Sequence, residues 1–168
     1  MAHKRAANSR SRQAGGETGE AGPGEKALDL SALTEITGYP LRRAQLAVFD
    51  DFNRRFASLG LSPAQYSALV AIGDNPGRKQ SEIAGALGIQ RPNFVAMMDE
   101  LERRGLAERL RSDADRRSHA LALTRSGSEL VARARLVQDE QERAIAQLLG
   151  PEGRERLVAL LRRLAKIE

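Results

Sequence analysis

Apolar residues recur along most of this chain at the three- and four-residue spacing that is typical of amphipathic helices. The first run predicts a helix over residues 41–59, with Gly60 as its C-cap. Two later runs, over residues 125–149 and from Pro151 to Ile167, predict a pair of long amphipathic helices. The apolar positions of the first helix are Leu41, Leu46, Val48, Phe49, Phe52 and Phe56. The pattern therefore favours a mainly helical protein.

A second helix is marked by the residues that begin and end it. Ser62 is a favourable N-cap, Pro63 suits the first helical position, and Gln65 completes a capping box with Ser62. This helix is predicted to run to about Asp74, because the sequence Asn-Pro-Gly at 75–77 breaks it.

Two shorter helices joined by a glycine turn follow. One is predicted over residues 80–87 and ends at Gly88, and the next begins near residues 90–92 and ends before Gly105. Helices joined in this way need a small residue where they cross, which Ala84 supplies. The apolar residues that would hold the two helices together are Ile83, Leu87, Ile89, Phe94 and Met97. This is the layout of a DNA-reading helix-turn-helix, although an ordinary helical hairpin also fits the spacing.

Strand-like alternation replaces the helical spacing beyond these helices. Residues 106–110 and 119–123 are predicted strands, and the charged loop between them contains the sequence Asp-Ala-Asp-Arg-Arg at 113–117. An arginine-tipped hairpin after a helix-turn-helix is interpreted as a wing. Its guanidinium groups would be attracted by phosphate and by the potential of a narrow minor groove.

The arginines of this hairpin are close together in sequence: Arg109, Arg111, Arg116 and Arg117 fall within nine residues. Asp115 is expected to accept hydrogen bonds from turn amides or from a nearby arginine, which would fix the loop. Which of Arg116 and Arg117 enters the DNA stays open, and a solvated turn is the alternative interpretation.

The second helix of the helix-turn-helix supplies further candidate DNA contacts near its start. Arg can form two hydrogen bonds with guanine, and Asn or Gln can do the same with adenine. The predicted DNA-binding residues are Lys79, Ser81, Gln90, Arg91, Asn93, Arg111, Asp115, Arg116 and Arg117.

The composition adds a basic charge and removes several kinds of chemistry. The net charge is +5 with 27 Lys and Arg among 168 residues, which favours a polyanionic partner. The absence of Cys excludes disulfides, thiolate metal sites and thiol redox sensing. His3 and His119 are far apart in sequence, so neither a metal site nor a cofactor is predicted. No apolar run approaches the ~20 residues of a membrane span and no signal peptide is evident, so a cytoplasmic protein is expected.

The sequence contains no grouping that is typical of an enzyme. We find no nucleophile–base pair, no phosphate-binding glycine loop and no paired-carboxylate site. Asp50 and Asp51 are adjacent, but adjacent residues on a helix point apart. We therefore predict a binding function and no catalysis.

Residues 41–167 resemble the MarR family of winged helix-turn-helix regulators, in the family's order and over about three quarters of the chain. The matching segments are Gly-Leu-Ser-Pro-Ala-Gln-Tyr at 60–66, Gln-Ser-Glu-Ile-Ala at 80–84, Leu-Gly-Ile at 87–89, Leu-Glu-Arg-Arg-Gly-Leu at 101–106, Asp-Arg-Arg at 115–117, and Leu-Thr at 123–124. Arg-Pro-Asn at 91–93 stands where the family often has small hydroxyl residues, so the resemblance does not indicate the operator sequence.

The resemblance implies a mainly α fold with a small β-hairpin wing, that is, a winged helix-turn-helix with N- and C-terminal dimerisation helices. It implies a homodimeric repressor that binds double-stranded DNA at a palindromic operator. Residues 28–168 would form the domain, with dimerisation helices at 41–59 and 125–167 and the winged lobe at 62–124. A ligand-independent regulator or an architectural DNA-binding protein is the alternative.

The N-terminal segment, residues 1–27, lacks apolar periodicity and is predicted to be a disordered tail. Its first twelve residues hold Lys4, Arg5, Arg10 and Arg12 and no acidic residue. Both a solvated tail and an arm that contacts DNA are compatible with this composition.

The resemblance also implies a small effector, namely an aromatic carboxylate, a phenol or an acyl thioester, held between the dimerisation helices and the DNA-binding lobe. The predicted ligand-binding residues are Tyr39, Arg42, Arg43, Phe49, Phe52, Asn53, Phe56 and Tyr66. The aromatic residues could instead pack in the core or in a dimer interface. Arg42 and Arg43 could hold a carboxylate or phosphate, or could be solvated.

Overall fold

The computed structural model describes residues 28–112 and 115–167, with the side chains of 111–119 and 151 outside the description. The predicted tail at 1–27 therefore lies outside the described residues. In chain order the elements are α1 (Ser31–Thr34), α2 (Gly38–Phe56), a 3-10 turn (Ala57–Leu59), α3 (Pro63–Asp74), α4 (Gln80–Ala86), α5 (Arg91–Arg103), β1 (Ala107–Ser112), β2 (Asp115–Leu123), α6 (Arg125–Leu149) and α7 (Pro151–Ala165). The predicted fold class, mainly α with a β-hairpin wing, is confirmed.

Local signals explain most helix boundaries. The Ser62 hydroxyl accepts a hydrogen bond from the Gln65 amide at 3.2 Å, and the Ser62 amide donates to Gln65 Oε1 at 3.1 Å. The predicted capping box is thus confirmed. α2 begins at Gly38, earlier than predicted, because Pro40 falls in its first turn, where the missing amide proton costs nothing.

The hairpin is longer than predicted. β1 and β2 pair antiparallel from Ala107 opposite Leu123 to Arg111 opposite His119, and the register shifts before Ser112 pairs with Asp115. The prediction that 111–118 forms a loop was therefore wrong for the backbone of most of these residues. Ladder pairing can continue through a charged sequence, because its hydrogen bonds join backbone groups and not side chains.

The segment before α4 joins this sheet. The Gly77 amide donates to the Leu121 carbonyl and the Leu121 amide donates to the Arg78 carbonyl, each at 2.9 Å. These bonds tie the hairpin to the start of the helix-turn-helix.

One hydrophobic core connects α2, α3, α4, α5, α6 and the hairpin. Its buried members include Phe52, Phe56, Leu69, Ile72, Ile83, Phe94, Met98, Leu101, Leu121, Leu130, Val131 and Ala134. The five apolar residues predicted to hold α4 and α5 together are all buried in this core or packed against it. None of the described helices is both long and apolar enough to cross a membrane.

Gly127 allows α6 to approach the strand side of the core. It is buried near the start of α6, and a Cβ atom at this position would lie 1.8 Å from the Leu106 carbonyl oxygen. The Thr124 hydroxyl, which caps α6, accepts a hydrogen bond from the Gly127 amide at 3.0 Å and donates one to the Gly105 carbonyl at 2.6 Å. The helix start is therefore fixed against backbone, where an added methyl group has no room.

We expect Gly127→Ala to destabilise the protein by about 1–3 kcal/mol, because the backbone at Leu106 must shift to admit the methyl group. Elsewhere in a helix, the same change stabilises by about 1 kcal/mol. Urea unfolding measures the difference. Gly85→Ala in α4 is the matched control, since nothing described lies within 4 Å of a Cβ there. Equal stability of the two variants would contradict the close approach.

Candidate functional site

The start of α5 presents polar side chains to solvent while its other face is held in the core. Phe94, Met98 and Leu101 are fully buried. These contacts fix the rotation of the helix, so that Arg91 and Asn93 point outward. The predicted contact residues Gln90, Arg91 and Asn93 are all exposed, and Gln90 occupies the N-cap position. Polar side chains with hydrogen-bonding groups and the amides of a helix N-terminus are thus brought together.

The start of α4 carries two more of the predicted residues. Lys79 and Ser81 are exposed there. The Glu82 carboxylate accepts a hydrogen bond from the Lys79 amide at 2.8 Å and lies 3.7 Å from the Arg78 guanidinium. This acid caps α4 and fixes the backbone next to the exposed residues.

The remaining predicted DNA contacts belong to the hairpin. The structure assigns Arg111 to β1 and Asp115, Arg116 and Arg117 to β2. Their side chains, and Asp113 with Ala114, lie outside the described part of the chain. The roles predicted for these side chains stay predictions.

Arg109, the first arginine of the hairpin, faces inward. Its Nε donates to Gln80 Oε1 at 2.8 Å, its Nη1 pairs with Asp99 at 2.8 Å and with Glu102, and its Nη2 donates to the Val95 carbonyl at 3.3 Å. Sequence reasoning grouped Arg109 with the other hairpin arginines and missed these partners. The available signal was the acidic run of α5, Asp99, Glu100 and Glu102, which offers partners for a nearby guanidinium.

The predicted effector residues separate into different environments. Phe52 and Phe56 are buried and stacked, with ring centroids 3.7 Å apart, and the Tyr66 ring lies 5.2 Å from that of Phe56. Burial raises the pKa of the Tyr66 hydroxyl. These three rings contribute to the core. Of the others, Tyr39 is half-buried, whereas Arg42, Arg43 and Asn53 are exposed on α2.

Phe49 is the predicted ligand residue that lines an open apolar groove, of about 720 Å³, between α2 and α7. The lining residues are Thr37, Pro40, Leu41, Ala44, Gln45, Val48, Phe49, Leu157, Leu160, Leu161 and Leu164. Their polar side chains are Thr37 and Gln45, and no Lys or Arg is among them. The groove therefore suits an uncharged, largely apolar occupant.

A buried polar contact supports the wall of this groove. The Gln141 side chain is 2% exposed, and its Nε2 donates to the Val48 carbonyl at 3.0 Å and to Asp51 Oδ2 at 3.2 Å. The Arg55 guanidinium donates to the same carboxylate at 2.7 Å and, with further help from Gln141, holds the pKa of Asp51 below its usual range. These bonds join α2 to α6. Gln141 was not predicted, although a polar residue in the apolar stripe of α6 was the available signal.

Comparison with known proteins gives a family match and close structural relatives. The MarR family model matches residues 59–118. A transcriptional regulatory protein described for the hcr operon of Thauera aromatica is 35% identical over 128 residues, which are 76% of this chain and 77% of that protein.

Two solved structures of the transcriptional repressor CouR are similar over nearly their whole length. CouR bound to a 23-mer DNA duplex is 48% identical with a TM-score of 0.81, and the match covers 83% of this chain and 99% of that chain. CouR bound to p-coumaroyl-CoA is 48% identical with a TM-score of 0.76, and the match covers 83% and 98%.

Proposed function

The chain belongs to the MarR family of transcriptional regulators, and on that premise we propose that it is a homodimeric repressor released from a palindromic operator by an aromatic acyl thioester. Like its relatives, it is a DNA-binding regulator and not an enzyme. The observation that carries the proposal is the similarity, at 48% identity, to the repressor CouR bound to duplex DNA. The match covers 83% of this chain and 99% of the CouR chain.

The proposed DNA contacts divide into those that read bases and those that position the protein. Arg91 and Asn93 on α5, with Gln90 at its start, would read base edges in the major groove. Lys79 and Ser81 would contact phosphates, and the hairpin arginines would reach the adjacent minor groove. The exposure of the residues at the starts of α4 and α5 supports this division.

A second copy of the chain is the proposed partner for the exposed apolar face of α7. Leu157, Leu160, Leu161 and Leu164 are between 37% and 59% exposed, and together with the α2 side of the groove they form a continuous apolar surface. Surfaces of this kind mark interfaces. We assign residues 41–59 and 125–167 to dimerisation and 62–124 to the winged lobe within a domain at 28–168. A two-fold dimer would present its recognition helices about 34–36 Å apart, which is one turn of DNA.

The chemistry of the groove favours a thioester over a free acid as effector. A carboxylate buried among the groove residues would lack a cation to pair with, which is costly, whereas a thioester carries no charge. The partner copy would close the groove over an aromatic acyl group beside Phe49. Arg42 and Arg43 are exposed on α2 and would pair with the phosphates of the coenzyme A part of such a thioester. The complex of CouR with p-coumaroyl-CoA supports this choice of chemical class.

Release of DNA requires that the effector bind the two conformations differently. The proposed change is in the spacing of the two recognition helices, since a shift of a few ångström destroys the match to two half-sites. An effector that bound without altering DNA affinity would contradict this mechanism.

Selection of bound sequences from random duplex DNA tests the function directly. We expect one enriched palindrome with half-site centres about one turn apart, bound at least ~10³-fold more tightly than random duplex. Asn93→Ala should relax the preference at one base position by about 1–3 kcal/mol. Arg117→Ala should instead weaken binding to all sequences. It should also reduce the slope of log binding constant against log salt concentration by about one unit.

The control for these variants is Arg133→Ala, which removes an exposed charge from α6. If Arg133→Ala weakened binding as much as Arg117→Ala, the effect of both would come from net charge and not from a contact made by the wing. Absence of any enriched sequence, with binding that disappears as salt rises, would favour an architectural DNA-binding protein.

Leu160→Asp should weaken the dimer about ten- to a hundredfold, because each buried leucine contributes about 1.5–3 kcal/mol. Sedimentation velocity over a range of concentrations measures the change. Leu110→Asp is the control, since this hairpin leucine is 42% exposed, similar to the 51% of Leu160. A Leu160→Asp variant that remains as dimeric as the control would refute the proposed interface.

p-Coumaroyl-CoA should release the operator, whereas free p-coumarate or coenzyme A at the same concentration should not. Phe49→Ala should raise the thioester concentration required by about ten- to a hundredfold, through loss of apolar contact, with DNA affinity preserved. Fluorescence anisotropy of a labelled operator measures both the affinity for DNA and the thioester concentration that releases it. The control is Leu136→Ala, at an exposed position of α6 outside the groove. Release by the free acid at equal potency would contradict the thioester assignment.

A further inference from the structure

Arg109 is the hairpin arginine whose side chain is described, and each of its guanidinium nitrogens has a partner within the protein. Nε donates to Gln80 Oε1, Nη1 pairs with Asp99 and Glu102, and Nη2 donates to the Val95 carbonyl. The side chain is 17% exposed. An arginine held in this way is not available to hydrogen-bond a phosphate without leaving its partners.

These partners belong to different elements of the DNA-binding lobe. Gln80 begins α4, whereas Val95, Asp99 and Glu102 lie on α5. The backbone amide of Arg109 also donates to Glu102 Oε1 at 2.8 Å, so that both main chain and side chain fix β1 to α5. The planar fork of a guanidinium can satisfy several acceptors at once, which a lysine ammonium cannot do in the same geometry.

The same contacts offset part of the negative charge on the DNA-binding lobe. Asp99 is 63% exposed and Glu102 is 32% exposed, and both lie on the helix that carries Arg91 and Asn93. Carboxylates left without a counter-charge would repel phosphate over the distances typical of a DNA interface. Arg109 pairs with both.

From this geometry we propose that Arg109 is a positioning residue that sets the angle of the wing relative to the recognition helix and offsets part of the charge of Asp99 and Glu102 on that helix, without contacting DNA itself. The proposal rests on the DNA-binding function proposed above. Because β1 and β2 form one ladder, with Arg109 opposite Leu121, anchoring β1 also anchors the strand that carries Arg116 and Arg117.

Footprinting of Arg109→Gln on the selected operator tests the proposal. In the wild-type complex the wing should protect the minor groove from hydroxyl radicals, and α5 should protect guanine N7 in the major groove. We expect Arg109→Gln to lose the first protection and to keep the second. The affinity should fall at least about tenfold, which equals the loss of one well-made charged contact. Adding Glu102→Gln should recover at least about threefold, since no unpaired carboxylate then remains at that position.

Two further variants separate positioning from charge and from folding. Arg109→Lys keeps the charge but not the fork, and it should leave the wing protection lost. Arg103→Gln is the matched control, because Arg103 is an exposed arginine of α5 that bonds to Glu100 at 3.1 Å, and it should keep both protections.

Wing protection that persists in Arg109→Gln would overturn the proposal and leave the DNA-binding function intact. Loss of both protections together with a large fall in the unfolding midpoint would also overturn it, because Arg109 would then serve the fold in general. Full rescue by lysine would show that charge alone suffices and would refute the positioning role. A wild-type protein that protects no sequence would refute the proposed function itself, and this proposal with it.

Discussion

The burial of one face of α5 is the interaction on which the rest of the structure depends. Phe94, Met98 and Leu101 are fully buried at helical spacing, and each buried side chain of this size contributes about 1.5–3 kcal/mol. Their packing fixes the rotation of the helix about its own axis. Because of that rotation Arg91 and Asn93 are exposed together, and Asp99 and Glu102 turn towards the hairpin, where Arg109 meets them.

Polar contacts then fix the surrounding elements at defined angles to one another. Apolar packing alone specifies such angles less closely, because it is not directional. The Arg109 contacts hold the hairpin on α5, and the Gln141 contacts hold α6 on α2 beside the apolar groove. On α6, Nη2 of Arg135 donates to both carboxylate oxygens of Asp74 at the end of α3, with distances of 2.6 and 2.8 Å. No buried side-chain nitrogen or oxygen of the described residues is left without a partner, so these networks are fully satisfied.

The sequence predicted those features whose causes are local. The capping box at Ser62 and the glycine that ends α5 depend on residues within one helical turn. The local sequence is therefore sufficient to predict them. The lengths of β1 and β2 depend on pairing between strands, which alternation alone does not determine. Phe49, Phe52 and Phe56 share one helical face, and only the packing of α3 and α7 makes Phe49 a groove residue and the others core residues. In the same way, nothing in the arginine content distinguishes Arg109 from its neighbours until α5 is placed beside β1.

The net charge of +5 is a poor guide to the DNA-binding face, because many arginines are paired within the protein. Arg55 bonds to Asp51, Arg135 to Asp74 and Arg154 to Glu142, all outside the helix-turn-helix. Arg91 makes no ion pair or hydrogen bond with any residue of the described ranges, and it stands at the N-terminus of α5, where the helix dipole adds attraction for an anion. An arginine whose guanidinium is already satisfied contributes to the general field around the molecule, whereas one without an internal partner can bind a base or a phosphate directly. The hydrogen-bond partners of each guanidinium, and not the sum of the charges, therefore identify the arginines that can reach DNA.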